Sequence, residues 1–257
     1  MWLDAGHGTL NALGTKPAHE GGEVDHWNDR SNQVGGSNPA LYHTITNRQD
    51  LEGHLPTLRL RNDGGLAARH PVLSFDGKRN RLVVGRGRGG LTGDPFRDLF
   101  RGEEFSCMAV GRAARKHTPL GRLIAARLGD AQNAWGFSYG PDQAWHSGIR
   151  PATGAASEAT VPDAPGAFRI LTCVWKKSAD EFRFRVLKPD GTLIGTESIL
   201  RGCRSPGPIR EIRLGAHSQG NAEFFAGDLA EILLYHRALT TQEIKAAEEY
   251  LLHKYFR

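Results

Sequence analysis

The C-terminal stretch, residues 224–256, constrains the fold of this chain more than any other part. It reads FFAGDLAEILLYHRALTTQEIKAAEEYLLHKYF, that is, a Gly-Asp turn, an apolar strand, a short link and one amphipathic helix. Thr240 and Glu243 have the spacing of a capping box, which marks where the helix begins. The pattern predicts a single terminal helix that packs one apolar stripe against β-structure. The residues of that stripe are Ile244, Ala247, Leu251 and Tyr255.

The remainder of the chain has the pattern of an all-β protein. Its 257 residues include 32 glycines and 13 prolines between short apolar runs, which is typical of a sandwich or barrel with many turns. Because no stretch resembles an interdomain linker, we expect one domain over residues 1–257. Strands are predicted at residues 71–75, 81–84, 105–110, 122–126, 135–140, 168–175, 212–215 and 229–235.

A β-hairpin is predicted where Phe182, Phe184 and Val186 alternate with arginines, so that one face is apolar and the other basic. The turn that follows reads PDGT at residues 189–192. By contrast, residues 150–166 are rich in Pro, Ala and Gly and predict a long surface loop.

The charge of the chain leaves two interpretations open. The formal net charge of +5 could steer the protein toward anionic partners such as acidic polysaccharide or nucleic acid, or it could simply give a soluble basic surface. No long block of like charge marks a nucleic-acid-binding tail, and no helix pattern follows the GRGRGG run at residues 85–90, so we expect no nucleic acid or dinucleotide. No apolar run reaches the length of a membrane span, so none is expected.

The three cysteines, Cys107, Cys173 and Cys203, cannot form a disulfide framework in a chain of this length. Cys107 and Cys173 lie in apolar strand-like runs, where buried free thiols are expected. One pair could also form a bridge, and the sequence does not decide between these alternatives.

Several short segments follow one another along the chain in a characteristic order. They read WLDA at residues 2–5, WNDRS at 27–31, PVLSFDG at 71–77, ILTCVW at 170–175, and FAGDLAEI at 225–232 leading to YHRAL at 235–239. In this order, and with the closing helix, the chain resembles the concanavalin A-like lectin/glucanase superfamily, specifically its bacterial laminin-G-like domains. The resemblance implies an all-β fold, a two-sheet antiparallel jelly-roll sandwich with one C-terminal α-helix packed on it.

The resemblance also implies an extracellular or cell-surface location, because such domains are commonly exported as parts of larger proteins. Residues 1–4 have neither a basic n-region nor an apolar h-region, so no signal peptide is visible. The residues alone leave open a cytosolic protein or a mature or excised domain; with the resemblance, we expect a module read apart from a longer exported protein.

The catalytic patterns carried by this fold are absent from the sequence. Retaining glycosidases of the superfamily carry acidic residues alternating along one strand, as E-x-D-x-x-E. Glu103 and Glu104 are adjacent, and Asp228 and Glu231 are three apart, so on a strand the carboxylates of each pair point to opposite faces. The lyase pattern of the fold, R-x-E-x-R with Q-x-H, has no match either.

Aromatic and polar residues cluster most densely at residues 133–146. Sugars present apolar C–H faces and hydroxyl rims, so their sites need aromatic platforms beside hydrogen-bonding side chains. Trp145 lies in a polar, turn-like stretch and is expected to be exposed, whereas Trp135 could equally be a core residue of its strand. Trp2, Trp27 and Trp175 are expected in the core. The candidate ligand-binding residues are Trp135, Tyr139, Asp142, Gln143, Trp145 and His146.

A structural calcium ion is also implied by the resemblance, because many members of the superfamily hold one. Calcium binds several carboxylate and carbonyl oxygens. Asp76 in the FDG turn and Asp228 in the AGDLAE turn are the candidate ligands. The alternative for each is a turn residue bonded to its own backbone.

The expected function is a non-catalytic carbohydrate-binding or adhesion module for a polysaccharide or glycan, and the arginine excess favours an acidic one. One alternative is a polysaccharide-degrading hydrolase or lyase with an unfamiliar active site. Another is a structural module that mediates contact between proteins. The sequence indicates neither the identity of the glycan nor the oligomeric state.

Overall fold

A computed structural model describes residues 2–7, 9–11, 16–24, 26–27, 55–84, 104–114, 119–128, 132–151, 155–206, 211–217 and 222–257. The strands are β1 (Trp2–Asp4), β2 (Thr9–Leu10), β3 (His26–Trp27), β4 (Thr57–Arg61), β5 (His70–Asp76), β6 (Leu82–Val84), β7 (Glu104–Ala113), β8 (Gly121–Leu128), β9 (Gln132–Tyr139), β10 (Ala144–Ile149), β11 (Ser157–Pro162), β12 (Arg169–Lys176), β13 (Glu181–Leu187), β14 (Ser198–Arg201), β15 (Glu211–Leu214) and β16 (Ala226–Tyr235). Helix α1 (Thr241–Phe256) follows the last strand.

The strands form two main sheets. The larger one has the order β14-β13-β12-β7-β16-β5-β4, with β1 also paired to β16, and the smaller one has the order β11-β10-β9-β8-β15-β6. The named strands pair antiparallel in both sheets. The two-sheet antiparallel sandwich with a C-terminal helix, expected from the sequence, is confirmed.

Side chains from the facing sides of the two sheets form the main core. Strand β9 supplies Trp135, Phe137 and Tyr139, which alternate with small residues and are buried. Strand β13 supplies Phe182 and Phe184 from the opposite sheet, and the rings of Phe137 and Phe184 lie 6.0 Å apart. This alternation is what places one face of each strand in the core.

Helix α1 covers the other face of the larger sheet and makes a second apolar layer. Its residues Ile244, Leu251 and Tyr255 are buried together with sheet residues such as Met108 and Ile170. The capping box is present, since the Thr240 side chain accepts from the backbone of Glu243 and the Glu243 side chain accepts from that of Thr240. The predicted helix and its apolar stripe are therefore confirmed.

Two buried carboxylates hold the helix on the sheet. Glu248 of the helix accepts hydrogen bonds from Nε and Nη2 of Arg185 at 2.8 and 2.5 Å, and from the hydroxyl of Thr172 at 2.7 Å. Glu231 of β16 accepts from the hydroxyl of Tyr255 at 2.6 Å and from Nζ of Lys254 at 2.5 Å. Burying these charges is tolerated because each has donors in good geometry.

The number of covered faces explains why some strands are buried along their whole length and others are not. Strand β12 lies between the helix and the smaller sheet, and residues 170–175 are all buried. Strands β10 and β11 of the smaller sheet instead alternate buried and less buried residues. At β10 and β11 the smaller sheet therefore has one face in the core and one more exposed face, here called the open face.

One predicted loop is wrong. Strand β11 (Ser157–Pro162) lies within the stretch 150–166, with Ala159 and Val161 buried against the core and Glu158 and Thr160 exposed. Exposed and buried residues alternate along this strand, but the Pro, Ala and Gly around it are typical of a loop. The turn cluster at residues 28–32 and the run at residues 85–90 lie outside the described residues.

The thiols of Cys107, Cys173 and Cys203 are buried and free. Cys107 lies directly opposite Cys173 in the β7–β12 pairing. Burial raises the pKa of both Cys107 and Cys173, the latter to about 12. No helix in the described part of the chain is long and apolar enough to cross a membrane.

Candidate functional site

The open face of the smaller sheet carries small residues at its centre. On β9, Gly136 and Ser138 lie on the side opposite to the core aromatics, and on β10 the same side carries His146 and Gly148. The pairing sets Gly136 opposite Gly148 and Ser138 opposite His146. The facing glycines, Gly136 and Gly148, leave room above the backbone.

A cavity of about 300 Å³ lies over these small residues. This volume is at the lower end of the range for ligand pockets in proteins. Gly136 and Gly148 are among its lining residues, and its polar and charged wall comes from several separate parts of the chain. The wall residues with polar or charged side chains are Arg122, Ser138, Ser147, Arg150, Ser157, Glu158, His217 and Glu223.

Arg122 and Glu223 form an ion pair at one side of the cavity. Nε of Arg122 lies 2.6 Å from Oε2 of Glu223, and the amide of Arg122 donates to the carbonyl of Glu223 at 2.9 Å. Glu223 has a φ of 51°, in the left-handed region that non-glycine residues seldom adopt. Such a conformation is retained when surrounding contacts impose it, as the two bonds to Arg122 do here.

His217 is a neutral member of the cavity wall. Burial lowers the pKa of His217, the Glu223 carboxylate raises it, and the charges of Arg122 and Arg213 lower it. The net effect is a lowered pKa, so the imidazole stays uncharged near neutral pH. At that pH the charged cavity residues are two arginines and two glutamates.

His146 is fixed beside the cavity by three polar neighbours. Its Nε2 lies 2.9 Å from Oδ1 of Asp142, and its Nδ1 lies 3.3 Å from the hydroxyl of Thr160 and 3.7 Å from Oε1 of Glu158. A Cβ at Gly140 would lie 2.3 Å from Oδ1 of Asp142 and 2.6 Å from Nε2 of His146. Glycine at this position is therefore what allows the His–Asp pair to form.

The expected exposure of Trp145 is wrong. The turn-like stretch ends at Gln143, and Trp145 is the second residue of β10, where it points into the core and is 1% exposed. Trp135 and Tyr139 are buried too, and Trp145 lies against Tyr139 with 5.1 Å between ring centroids. These three rings cannot act as surface platforms for a sugar.

The polar groups of Tyr139 and Trp145 in this aromatic cluster meet at Asp163. Its Oδ2 accepts from Nε1 of Trp145 at 3.2 Å, and its carbonyl accepts from the hydroxyl of Tyr139 at 2.5 Å. Arg169 pairs with the same carboxylate at 2.9 Å. Burial raises the pKa of Tyr139 to about 12, so its hydroxyl remains a donor.

The polar members of the predicted cluster have separate positions. Asp142 and Gln143 are exposed in the turn before β10, and Gln143 has a φ of 56°. His146 lies on the open face with its side chain 13% exposed. The structure thus brings His146 and Asp142 together at the edge of the cavity and leaves Gln143 in the turn.

The surroundings of Asp76 do not fit a calcium site. Its Oδ1 accepts hydrogen bonds from the amides of Lys78, Arg79 and Asn80 at 2.8, 3.0 and 3.1 Å. Burial raises the pKa of Asp76, but the hydrogen bonds from these amides outweigh burial, so the net effect is a lowered pKa. The carboxylate therefore stabilises the turn after β5, which was the alternative considered for it.

The surroundings of Asp228 do not fit calcium either. Asp228 is 1% exposed, its Oδ2 is bound by the guanidinium of Arg112, and its Oδ1 accepts from the hydroxyl of Ser74 at 2.7 Å. A fixed guanidinium repels a cation at this distance. The described residues contain no group of three or more acidic, His or Cys side chains arranged for a metal ion.

Most residues of the cavity wall are not among the candidates predicted from the sequence. Arg122 and Glu223 are 101 positions apart, and they meet because an isolated bridge sets Arg122 beside Phe224. Arg150 directly follows β10, and Glu158 lies within β11, in the stretch where the sequence predicts a loop. The one available signal was the alternation of polar and apolar residues from 144 to 161, which indicates two half-buried strands.

Comparisons with known proteins agree with this architecture. A family model described as the concanavalin A-like lectin/glucanases superfamily matches residues 112–245, just over half of the chain. No curated protein matches the chain in sequence.

Among solved structures, the CBM40 module of the Ruminococcus gnavus IT-sialidase is similar, with a TM-score of 0.50 and 14% identity over 68% of this chain and 95% of that one. A mutant of the NanB sialidase from Streptococcus pneumoniae has a TM-score of 0.51 and 15% identity, over 67% of this chain and 26% of that one. A Trypanosoma rangeli sialidase complex has a TM-score of 0.50 and 15% identity, over 77% of this chain and 30% of that one. At such identities the likeness shows the fold alone.

Proposed function

Because the chain belongs to the concanavalin A-like lectin/glucanases superfamily, we propose that it is a non-catalytic carbohydrate-binding module whose ligand occupies the cavity on the open face of the smaller sheet. The observation that carries this proposal is the position of the cavity. Helix α1 covers one side of the sandwich, whereas the cavity opens on the opposite side, over the smaller sheet.

The side chains around the cavity have the chemistry that sugar hydroxyls need. Each hydroxyl both donates and accepts, guanidinium groups only donate, and ionised carboxylates only accept. Arg122 and Glu223 offer both functions side by side, while Arg150 and Glu158 add one of each. Planar, charged side chains of this kind suit recognition of neighbouring hydroxyls.

Binding in this site would depend on polar contacts more than on ring stacking. The aromatic residues nearest the cavity, Trp135, Tyr139 and Trp145, lie in the core. The small floor residues Gly136 and Gly148 let a ligand approach the sheet backbone closely. We therefore propose a ligand that lies on the sheet and bonds to the wall.

An acidic glycan, an adhesive role and an extracellular location belong to the same proposal. The net charge of +5 supports attraction of anionic polysaccharide. The location is supported by what modules of this kind commonly do, and export of the full-length protein from its own cells is the observation that tests it.

The direct test is a glycan array followed by titration of each hit by calorimetry, using the protein and its Ala156→Trp variant. Ala156 is exposed at the cavity wall, so an indole there fills the site without touching the core. Ala164→Trp, at an exposed alanine that is not among the cavity-lining residues, is the matched control.

We expect Ala156→Trp to weaken binding at least tenfold, a loss of about 1.4 kcal/mol, and Ala164→Trp to leave it unchanged. Equal binding by both variants would place the ligand elsewhere. Release of reducing ends or of an unsaturated product from a bound glycan would replace the proposal with the hydrolase or lyase alternative. No binding to any glycan would favour a protein-contact module.

A further inference from the structure

The two arginines of the cavity stand at opposite ends of its floor. The β8–β9 pairing sets Arg122 opposite Ser138, whereas the amide of Arg150 donates to the carbonyl of Ala134 at 2.7 Å. Ser138 and Ala134 are four residues apart on one strand, which is about 13 Å along the sheet. A ligand that fills the cavity meets a different guanidinium at each end.

The charge of Arg122 is already compensated by the protein. Glu223 holds its guanidinium at 2.6 Å, and the side chains of Arg122 and Glu223 are only 21% and 27% exposed. An anionic ligand group at this end would approach a carboxylate as closely as a guanidinium, so it would gain little. The Arg122–Glu223 pair instead suits a sugar that offers an acceptor and a donor together.

The charge of Arg150 is available to a ligand. The described residues place no carboxylate within ion-pair distance of Arg150, and its side chain is exposed at the cavity. Glu158, the other carboxylate of the wall, lies near His146, with 3.7 Å between its Oε1 and Nδ1 of the histidine. A guanidinium with free donors at a cavity mouth is suited to a planar anion such as a carboxylate.

We infer, on the basis of the proposed glycan site, that Arg150 selects an anionic group on the glycan while the Arg122–Glu223 pair binds its neutral hydroxyls. The ligand class is an oligosaccharide with a carboxylate or sulfate at one end and a hydroxyl pair at the other. Arg150 is the specificity-determining residue, and Arg122 contributes affinity that does not depend on ligand charge.

The experiment compares two matched pairs of glycans that differ in charge. The pairs are 3′-sialyllactose with lactose, and a hyaluronan tetrasaccharide with chitotetraose. Each is titrated against the protein, Arg150→Gln, Arg122→Gln and Arg204→Gln. Arg204 is exposed and lies outside the cavity lining, so its variant has the same loss of net charge without the local effect.

We expect the protein to prefer the acidic member of at least one pair about tenfold, and Arg150→Gln to abolish that preference. Arg122→Gln should weaken both members of the pair by a similar factor, and Arg204→Gln should change neither. The preference should also shrink as salt is raised from 50 to 500 mM, since an exposed charge contact is screened.

Four results would overturn the inference. Equal binding of acidic and neutral glycans would refute it while leaving the proposed glycan site intact. A preference that persists in Arg150→Gln, or that is lost equally in Arg204→Gln, would assign the selection to another residue or to the overall charge. No binding of any glycan would refute the proposed function itself.

Discussion

Lys254 of helix α1 and Glu231 of strand β16 meet in the layer between the helix and the larger sheet, with 2.5 Å between Nζ and Oε2. Glu231 is fully buried, and the same lysine reaches Asp4 of β1 at 2.9 Å. One side chain near the end of the chain thus binds its first strand and its last. Burial alone lowers the pKa of Lys254, but its bonds to Glu231 and Asp4 raise it above the usual value.

Replacing Lys254 with methionine should destabilise the protein by about 3 kcal/mol, because it leaves two buried carboxylates without their cation. Urea unfolding followed by circular dichroism measures the loss. Lys245→Met is the matched control, since Lys245 is exposed on the same helix. Similar midpoints for the two variants would show that the ion pair does not hold the helix on the sheet.

The helix cap gives a second prediction. Thr240→Ala should lower the free energy of unfolding by about 1 kcal/mol, because the first turn loses its side-chain acceptor, and Thr241→Ala should lower it much less.

The stability that the cap provides should also depend on pH. Hydrogen bonds from Arg237 and Thr240 lower the pKa of Glu243 to about 2. The contribution of Glu243 is therefore complete above pH 4.5 and is lost as the pH falls toward 2. The test is the free energy of unfolding of Thr240→Ala and Thr241→Ala at pH 7 and at pH 3. If the difference in stability between the two variants is the same at both pH values, the assigned role of Glu243 is contradicted.

The helix and the sandwich could be predicted from the sequence because their signals are local. The capping box and the stripe at Ile244 and Leu251 lie within one helix, and the alternation of Phe182 and Phe184 with arginines lies within one strand. Local patterns of this kind indicate which face of a helix or strand is apolar and therefore buried. They predicted most strands of both sheets.

The candidate site could not be predicted in the same way because long-range pairing assembles it. The polar letters around Trp145 suggested a turn, but the turn ends at Gln143 and the indole finds a buried acceptor in Asp163. The ion pair of Arg122 with Glu223 depends on a bridge between distant segments. Polar neighbours in the sequence therefore did not indicate whether Trp145 is exposed or buried in the folded protein.

Acid sensitivity near neutral pH is expected from His70. Burial lowers its pKa, the charge of Lys254 lowers it further, Asp4 raises it, and the net pKa lies below 6.5. The unfolded chain then binds the proton more readily than the folded one, so stability is complete above pH 6.5 and falls as the pH drops below it. Thermal unfolding between pH 8 and 5 should show this decline, and His70→Gln should reduce it. An identical pH profile for the variant would refute the assignment.

The cysteines should be unreactive in the folded protein. Burial raises the pKa of Cys107 and Cys173, and Cys203 is 2% exposed, so little thiolate is accessible. A thiol-reactive dye should label none of the three within minutes at pH 8 and all three in guanidinium. Rapid labelling of the native protein, or fewer than three labels after denaturation without reductant, would contradict the free, buried state.

The most direct measurement of the central claim is the change in amide chemical shifts of the isotope-labelled protein on titration with its tightest-binding glycan. We expect the largest changes at Gly136, Ser138 and Gly148, with little change along helix α1. Changes confined to the helix, or to the turn at Asp190, would contradict the assignment of the ligand to the open face of the smaller sheet.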